Sequence, residues 1–190
     1  MKKALPQKYS ESFSHIDFKE LNADRNVYEN CEFLNCSFST LSNIDFIDCG
    51  FINCNLSNVK FNFCGLQNVT FTDCKLMGAD FFQSKDFMFS VNFDNCNMDY
   101  TSFDKKKMYK STFRNCRVHG ANFTQADLSR STLFNCDLHD SIFLNTDLSG
   151  VDFTTCINFL IDPETNTIKK AKFSRNDLTG LLYRHDIIIE

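Results

Sequence analysis

Three sets of side chains in this chain of 190 residues could do chemistry. His119 and His139 stand twenty residues apart, and Asp99 stands twenty before His119. Imidazole and carboxylate repeated at one spacing make a donor set that zinc accepts. Asp86 and Lys106 share that spacing. Side by side in an interior, the two charges would compensate each other where either alone would be costly. Ten cysteines complete the inventory, and thiols can ligate metal, pair as disulfides or attack. No catalytic frame surrounds these sets. The sequence has no Gly-rich phosphate loop, no G-x-S-x-G and no H-E-x-x-H.

The spacing of twenty is built from a shorter one. From Phe93 through Met98, Phe103, Met108 and Phe113 to Phe153, a large apolar residue recurs at every fifth position. A smaller residue, usually Cys, Ala, Ser, Thr or Val, stands two before each. Five is neither the helix period of 3.6 nor the strand period of 2, so it marks an internal repeat. All ten cysteines fall two residues before a repeat centre, and Cys96, Cys116, Cys136 and Cys156 are spaced by twenty. Thiols in an inward column act as small hydrophobes. Their spacings contain no C-x-x-C pair, so the cysteines read as core and not as a disulfide framework or a metal site. The His119, His139 and Asp99 column reads as a solvated polar row, and no metal or cofactor is expected.

The unit is clearest in Ala121-Asn122-Phe123-Thr124-Gln125 and Ala126-Asp127-Leu128-Ser129-Arg130. It resembles the pentapeptide-repeat family, whose consensus is Ala-Asp/Asn-Leu-X-X, and the resemblance runs from about Phe13 to Phe153. It implies an all-β fold, a right-handed quadrilateral β-helix in which four pentapeptides make one coil and the large and small residues both point inward. Two slips are expected. Two residues are missing between Phe38 and Phe46, since Cys36 to Cys54 is eighteen. Two are added within Phe82 to Phe87, since Cys74 to Cys96 is twenty-two. Met88 then resumes the inward pattern, with Asp86 inward two before it. The expected division is a lead-in at 1–12, the β-helix at 13–158 and a C-terminal segment with a short helix at 159–190.

A net charge of −4 disfavours direct nucleic-acid binding. No apolar stretch reaches the length of a membrane span, and the N-terminus lacks the apolar core of a signal peptide. A cytoplasmic, non-enzymatic protein is expected. Asp127, Asp137, Asp140, Asp147 and Asp152 crowd the last coils, where Arg130 is the lone Lys or Arg between Ala121 and Phe153. The quinolone-resistance and microcin-immunity branch that the chain resembles suggests a use for them. Those rods mimic duplex DNA and bind DNA gyrase or topoisomerase IV, and these five aspartates would stand in for phosphates. The alternative is a scaffold that binds another protein through Phe82, Phe87 and Phe89 at the second slip. Leu178, Leu181, Leu182, Tyr183, Ile187, Ile188 and Ile189 exceed what one small cap needs, and the resemblance implies a homodimer through them.

Overall fold

A large residue at every fifth position can be buried only if the chain turns a corner after each one. The computed structural model, which describes residues 7–18, 21–22, 27–185 and 187–188, is a right-handed, four-sided β-solenoid. Its strands form four parallel sheets, one per side. The longest joins Ser12–Ser14, Glu32–Leu34, Gly50–Ile52, Val69–Thr72, Val91–Asp94, Thr112–Arg114 and Thr132–Phe134 in chain order. Single bridges extend it from Thr132 to Asp152 and on to Lys172. The regular coils therefore run past the expected limit at 158, and Phe173 stacks on Phe153 at 5.2 Å. At the other end the strand Gln7–Tyr9, inside the expected lead-in, already pairs with Val27–Glu29.

Both slips appear in the register. Phe33 pairs with Phe51 and Tyr28 with Phe46, eighteen residues on. Phe71 pairs with Phe93, twenty-two on, whereas Phe93 pairs with Phe113 at the regular twenty.

The core is two columns of stacked rings packed edge to face. Phe33, Phe51, Phe71 and Phe93 follow one another at 4.7, 5.0 and 5.2 Å. Phe61, Phe81, Phe103 and Phe123 follow at 4.4, 4.8 and 5.4 Å. Each aromatic pair adds about 0.5–1.5 kcal/mol beyond its burial. The small inward residues spend their polar hydrogens on the preceding coil. Cys54 Sγ donates to the Phe33 carbonyl at 3.2 Å, and the Ser131 and Thr146 hydroxyls donate to the Met108 and Phe123 carbonyls at 2.8 Å. Buried polar groups are thereby satisfied. All ten cysteines are free and buried, and burial pushes the Cys49 and Cys64 thiols up to about 11.

Corners on every side take a backbone conformation that the inward pattern does not encode, and one corner meets it mostly with asparagine. Two residues after each centre of the longest sheet the backbone enters the left-handed region, at φ 53, 51, 53, 53 and 54 for Asn35, Asn53, Asn95, Asn115 and Asn135, and at 58 and 55 for His15 and Asp73. Asparagine tolerates this conformation better than most side chains. The amides also join coil to coil: Asn53 Nδ2 donates to Asn35 Oδ1 at 2.6 Å, and Asn135 Nδ2 to Asn115 Oδ1 at 3.1 Å.

The C-terminal end is closed by a one-turn α-helix, Thr179–Leu182. Its Gly180 lies so close to the last coil that a Cβ would sit 2.2 Å from the Phe159 carbonyl oxygen. The Ile161 amide donates to the Gly180 carbonyl at 3.0 Å, and Arg184 pairs with the buried Asp162 carboxylate.

Candidate protein-interaction surface

The two extra residues of the second slip form a bulge between Phe81 and Phe89, and its buried members fix its shape. Ser84 takes the small inward place; its hydroxyl donates to the Phe81 carbonyl at 2.7 Å. The large inward place falls to Phe89, 8% exposed, and not to Met88, which is 54% exposed with φ 55. The expected resumption at Met88 is therefore off by one, and Asp86 does not point inward. Nor is Phe89 an exposed contact residue: it packs against Phe81 edge to face, ring centroids 6.4 Å apart. An aromatic ring gains more than a thioether by packing edge to face on the phenylalanine column.

Lys106, one coil on, clamps the bulge from beneath. Its side chain is 3% exposed. The ammonium donates to the Ser84 carbonyl at 2.7 Å and to Asp86 Oδ1 at 2.8 Å, and lies 5.5 Å from the Phe89 ring centroid. On the other flank Lys85 pairs with Asp45, whose carboxylate also accepts the Gly65 amide at 3.0 Å. With both flanks tied, the tip presents Phe87 at 81% exposure, beside the exposed Phe82 and Met88. Phe63 adjoins them, its amide donating to the Gln83 carbonyl at 3.0 Å. Phe63 and Met88 are absent from the sequence-based set. Phe63 was legible there, since it follows the centre Phe61 by two, an outward place.

The five aspartates fall on different ladders. Asp127 and Asp147 are neighbours in one, after Lys107. Asp137 follows Arg117 in a second, and Asp152 precedes Lys172 in a third. Asp140 sits in a turn with φ 56. The Asp127 and Asp147 carboxylates accept the amides of Ser129 and Ser149 at 2.9 Å. Asp152 accepts the Thr154 hydroxyl and amide and lies 3.2 Å from Lys172; together these hold its carboxyl below the usual range. Only Asp127 and Asp147 are thus brought together.

His119 and His139 are neighbours one coil apart, their rings edge to face with centroids 5.5 Å apart. His119 Nε2 is 2.8 Å from Asp137 Oδ2, and His139 Nε2 is 3.2 Å from Asp140 Oδ2. Asp99 turns instead to Arg117 at 2.9 Å. Among the described residues no three His, Cys, Asp or Glu side chains converge to hold a metal, and no helix is long and apolar enough to cross a membrane.

Of the C-terminal apolar residues, Leu178, Leu182, Tyr183, Ile187 and Ile188 are exposed. Leu181 instead packs against its own core, and Ile189 lies outside the described residues.

Comparison with known proteins adds the lineage. A family model described as the pentapeptide repeat region matches residues 44–105 and 86–183. No curated protein sequence matches the chain significantly. Among solved structures, trypsin-treated QnrB1, a plasmid-mediated fluoroquinolone resistance protein, superposes with TM-score 0.50 at 18% identity, covering 97% of this chain and 91% of that one. HetL, a pentapeptide-repeat protein involved in heterocyst differentiation regulation in Nostoc sp. strain PCC 7120, gives 0.46 at 13% identity, covering 89% and 86%.

Proposed function

The chain belongs to the pentapeptide-repeat family, and from that premise we propose that it is a non-enzymatic protein that holds a protein partner against the Phe82–Met88 bulge. One observation carries this reading: Phe87 stands 81% exposed on a segment whose flanks are tied down by Lys106 and Lys85. An exposed aromatic on a rigid support binds with little ordering cost. The core thiols fit a reducing compartment, hence a cytoplasmic location. A photo-crosslinking residue placed at Phe87, and at Gln125 on a regular coil as control, tests the reading in cells. A protein adduct specific to the bulge is expected. Equal labelling from both sites would sink it.

Mimicry of DNA toward gyrase or topoisomerase IV is the second reading. The Asp127–Asp147 pair supports it, since the two carboxylates repeat along one ladder at about 4.8 Å. In this reading the exposed C-terminal residues, Leu178, Leu182, Tyr183, Ile187 and Ile188, join two rods into a homodimer. A gyrase supercoiling assay with and without quinolone decides it. Protection that is lost in Asp127→Asn/Asp147→Asn is the supporting result, and no protection at stoichiometric excess ends the reading. Sedimentation of the intact chain beside a form truncated after Leu178 tests the dimer.

A further inference from the structure

Four cations near the bulge lack a counter-ion. Lys105, Lys107, Lys110 and Arg130 are outward on the coils that follow it, and none forms an ion pair with any described carboxylate. By contrast Asp45 and Asp86 are already taken by Lys85 and Lys106, and Asp80 turns to the Phe82 amide at 2.9 Å. The carboxylate nearest along the ladder, Asp127, is drawn to its own turn by the Ser129 amide and hydroxyl. Asp104 is only partly exposed beside Lys105. The unpaired cations are interleaved with the rings. Lys105 Nζ lies 5.7 Å from the Phe82 centroid. Lys110 Nζ lies 5.1 Å from the Tyr109 centroid, and Arg130 Nη1 donates to the Tyr109 hydroxyl at 3.2 Å. In a chain of net charge −4, this is a local reversal of sign.

We propose that the partner segment held by the bulge is acidic: a peptide stretch whose apolar side chains cover Phe87 and Met88 while its carboxylates meet Lys105, Lys107 and Lys110. This deepens the protein-binding reading of the bulge and rests on it. Rings supply contact area and unpaired lysines supply sign, so the surface discriminates partners by charge as well as shape. The overall negative charge disfavours a polyphosphate chain as the occupant, because the rest of the rod would repel it.

The test uses the full chain and labelled fifteen-residue peptides of one apolar pattern, with Glu, Gln or Lys at the intervening positions. Fluorescence anisotropy should show the Glu peptide binding at least about tenfold more tightly than the Gln peptide, weakening as salt rises. Phe87→Ser and Lys105→Gln/Lys107→Gln/Lys110→Gln should each remove most of that binding; all four positions are exposed. Equal affinity for the Glu and Gln peptides, or no binding by any, overturns the proposal. So does tighter binding of an oligothymidine of matched length, which would assign the surface to nucleic acid. Self-association abolished by Phe87→Ser would assign it to a second copy. A bulge-specific cross-link without acidic preference would leave the protein-binding reading standing and remove this one.

Discussion

Lys106 and Asp86 form an ion pair with unequal halves. Their polar atoms are 2.8 Å apart, yet the lysine side chain is 3% exposed and the aspartate 62%. The two ends therefore fail differently. Asp86→Ala strands a buried ammonium with the Ser84 carbonyl as its remaining hydrogen-bond partner, and should cost about 3 kcal/mol. Lys106→Met leaves a solvated carboxylate and an orphaned carbonyl, and should cost about 1–2 kcal/mol. The double variant should resemble Lys106→Met. Urea unfolding measures all three, and equal costs for the single variants would mean that both charges are in water.

Phe87 and Phe89 should separate binding from stability. Phe89→Ala opens the buried end of the bulge and should cost about 3 kcal/mol. Phe87→Ser removes an exposed ring and should change stability by less than about 0.5 kcal/mol, while cross-linking from neighbouring bulge positions is lost. Unfolding midpoints beside cross-link yields check both halves.

Alkaline pH should weaken the fold. The Cys49 and Cys64 thiols stay protonated in the folded state up to about 11, against an ordinary value of 9.0. Between those values the unfolded chain releases protons that the folded chain keeps, so stability is full below pH 9 and falls as pH rises toward 11. Urea midpoints at pH 8 and pH 10.5 should show the fall. Native thiols should react slowly with a disulfide reagent at pH 8 and quickly once unfolded; rapid native reaction of Cys96, Cys116 and Cys136 would reject their burial.

Position 115 should tolerate Gly better than Val. Its φ of 53 strains a β-branched side chain, so Asn115→Val should cost about 2 kcal/mol. Asn115→Gly keeps the backbone and loses two exposed hydrogen bonds, one accepted from Asn135 Nδ2 and one donated to Asp94 Oδ1, and should cost about 1 kcal/mol. Denaturant titration of the two variants gives the comparison.

Gly180→Ala should loosen the C-terminal cap, because the new methyl meets the Phe159 carbonyl, which cannot move aside as a side chain can. The Ile161 amide, bonded to the Gly180 carbonyl at 3.0 Å, should exchange with solvent faster, while amides at Phe113 and Phe93 keep their protection. Unchanged exchange at Ile161 would show that the helix does not depend on this contact.

Much of the fold is written in the inward positions. Their period gives the coil, and departures of two in the cysteine spacing locate both slips, because each inward place admits only a narrow range of size and polarity. The outward positions carry no such constraint. At the bulge the period is interrupted, two apolar residues stand next to each other, and spacing alone cannot choose Phe89 over Met88. The choice is made by what Phe89 meets inside, the Phe81 ring edge to face and the Lys106 ammonium at 5.5 Å, which spacing does not encode. The asparagine corner is equally silent in hydrophobicity, since it is selected by backbone conformation. The aspartates share a stretch of sequence but, Asp127 and Asp147 apart, not a ladder, because residues five apart face different sides and only those twenty apart stack.

The Phe33 column passes both slips without a gap: Phe33 meets Phe51 at 4.7 Å across the shortened coil, and Phe71 meets Phe93 at 5.2 Å across the lengthened one. A change of chain length is thus absorbed at a single corner. The solenoid is in this respect a display frame. Foreign sequence spliced between Phe87 and Met88 would be carried outward on a rigid post, with its neighbours one coil above and below left undisturbed.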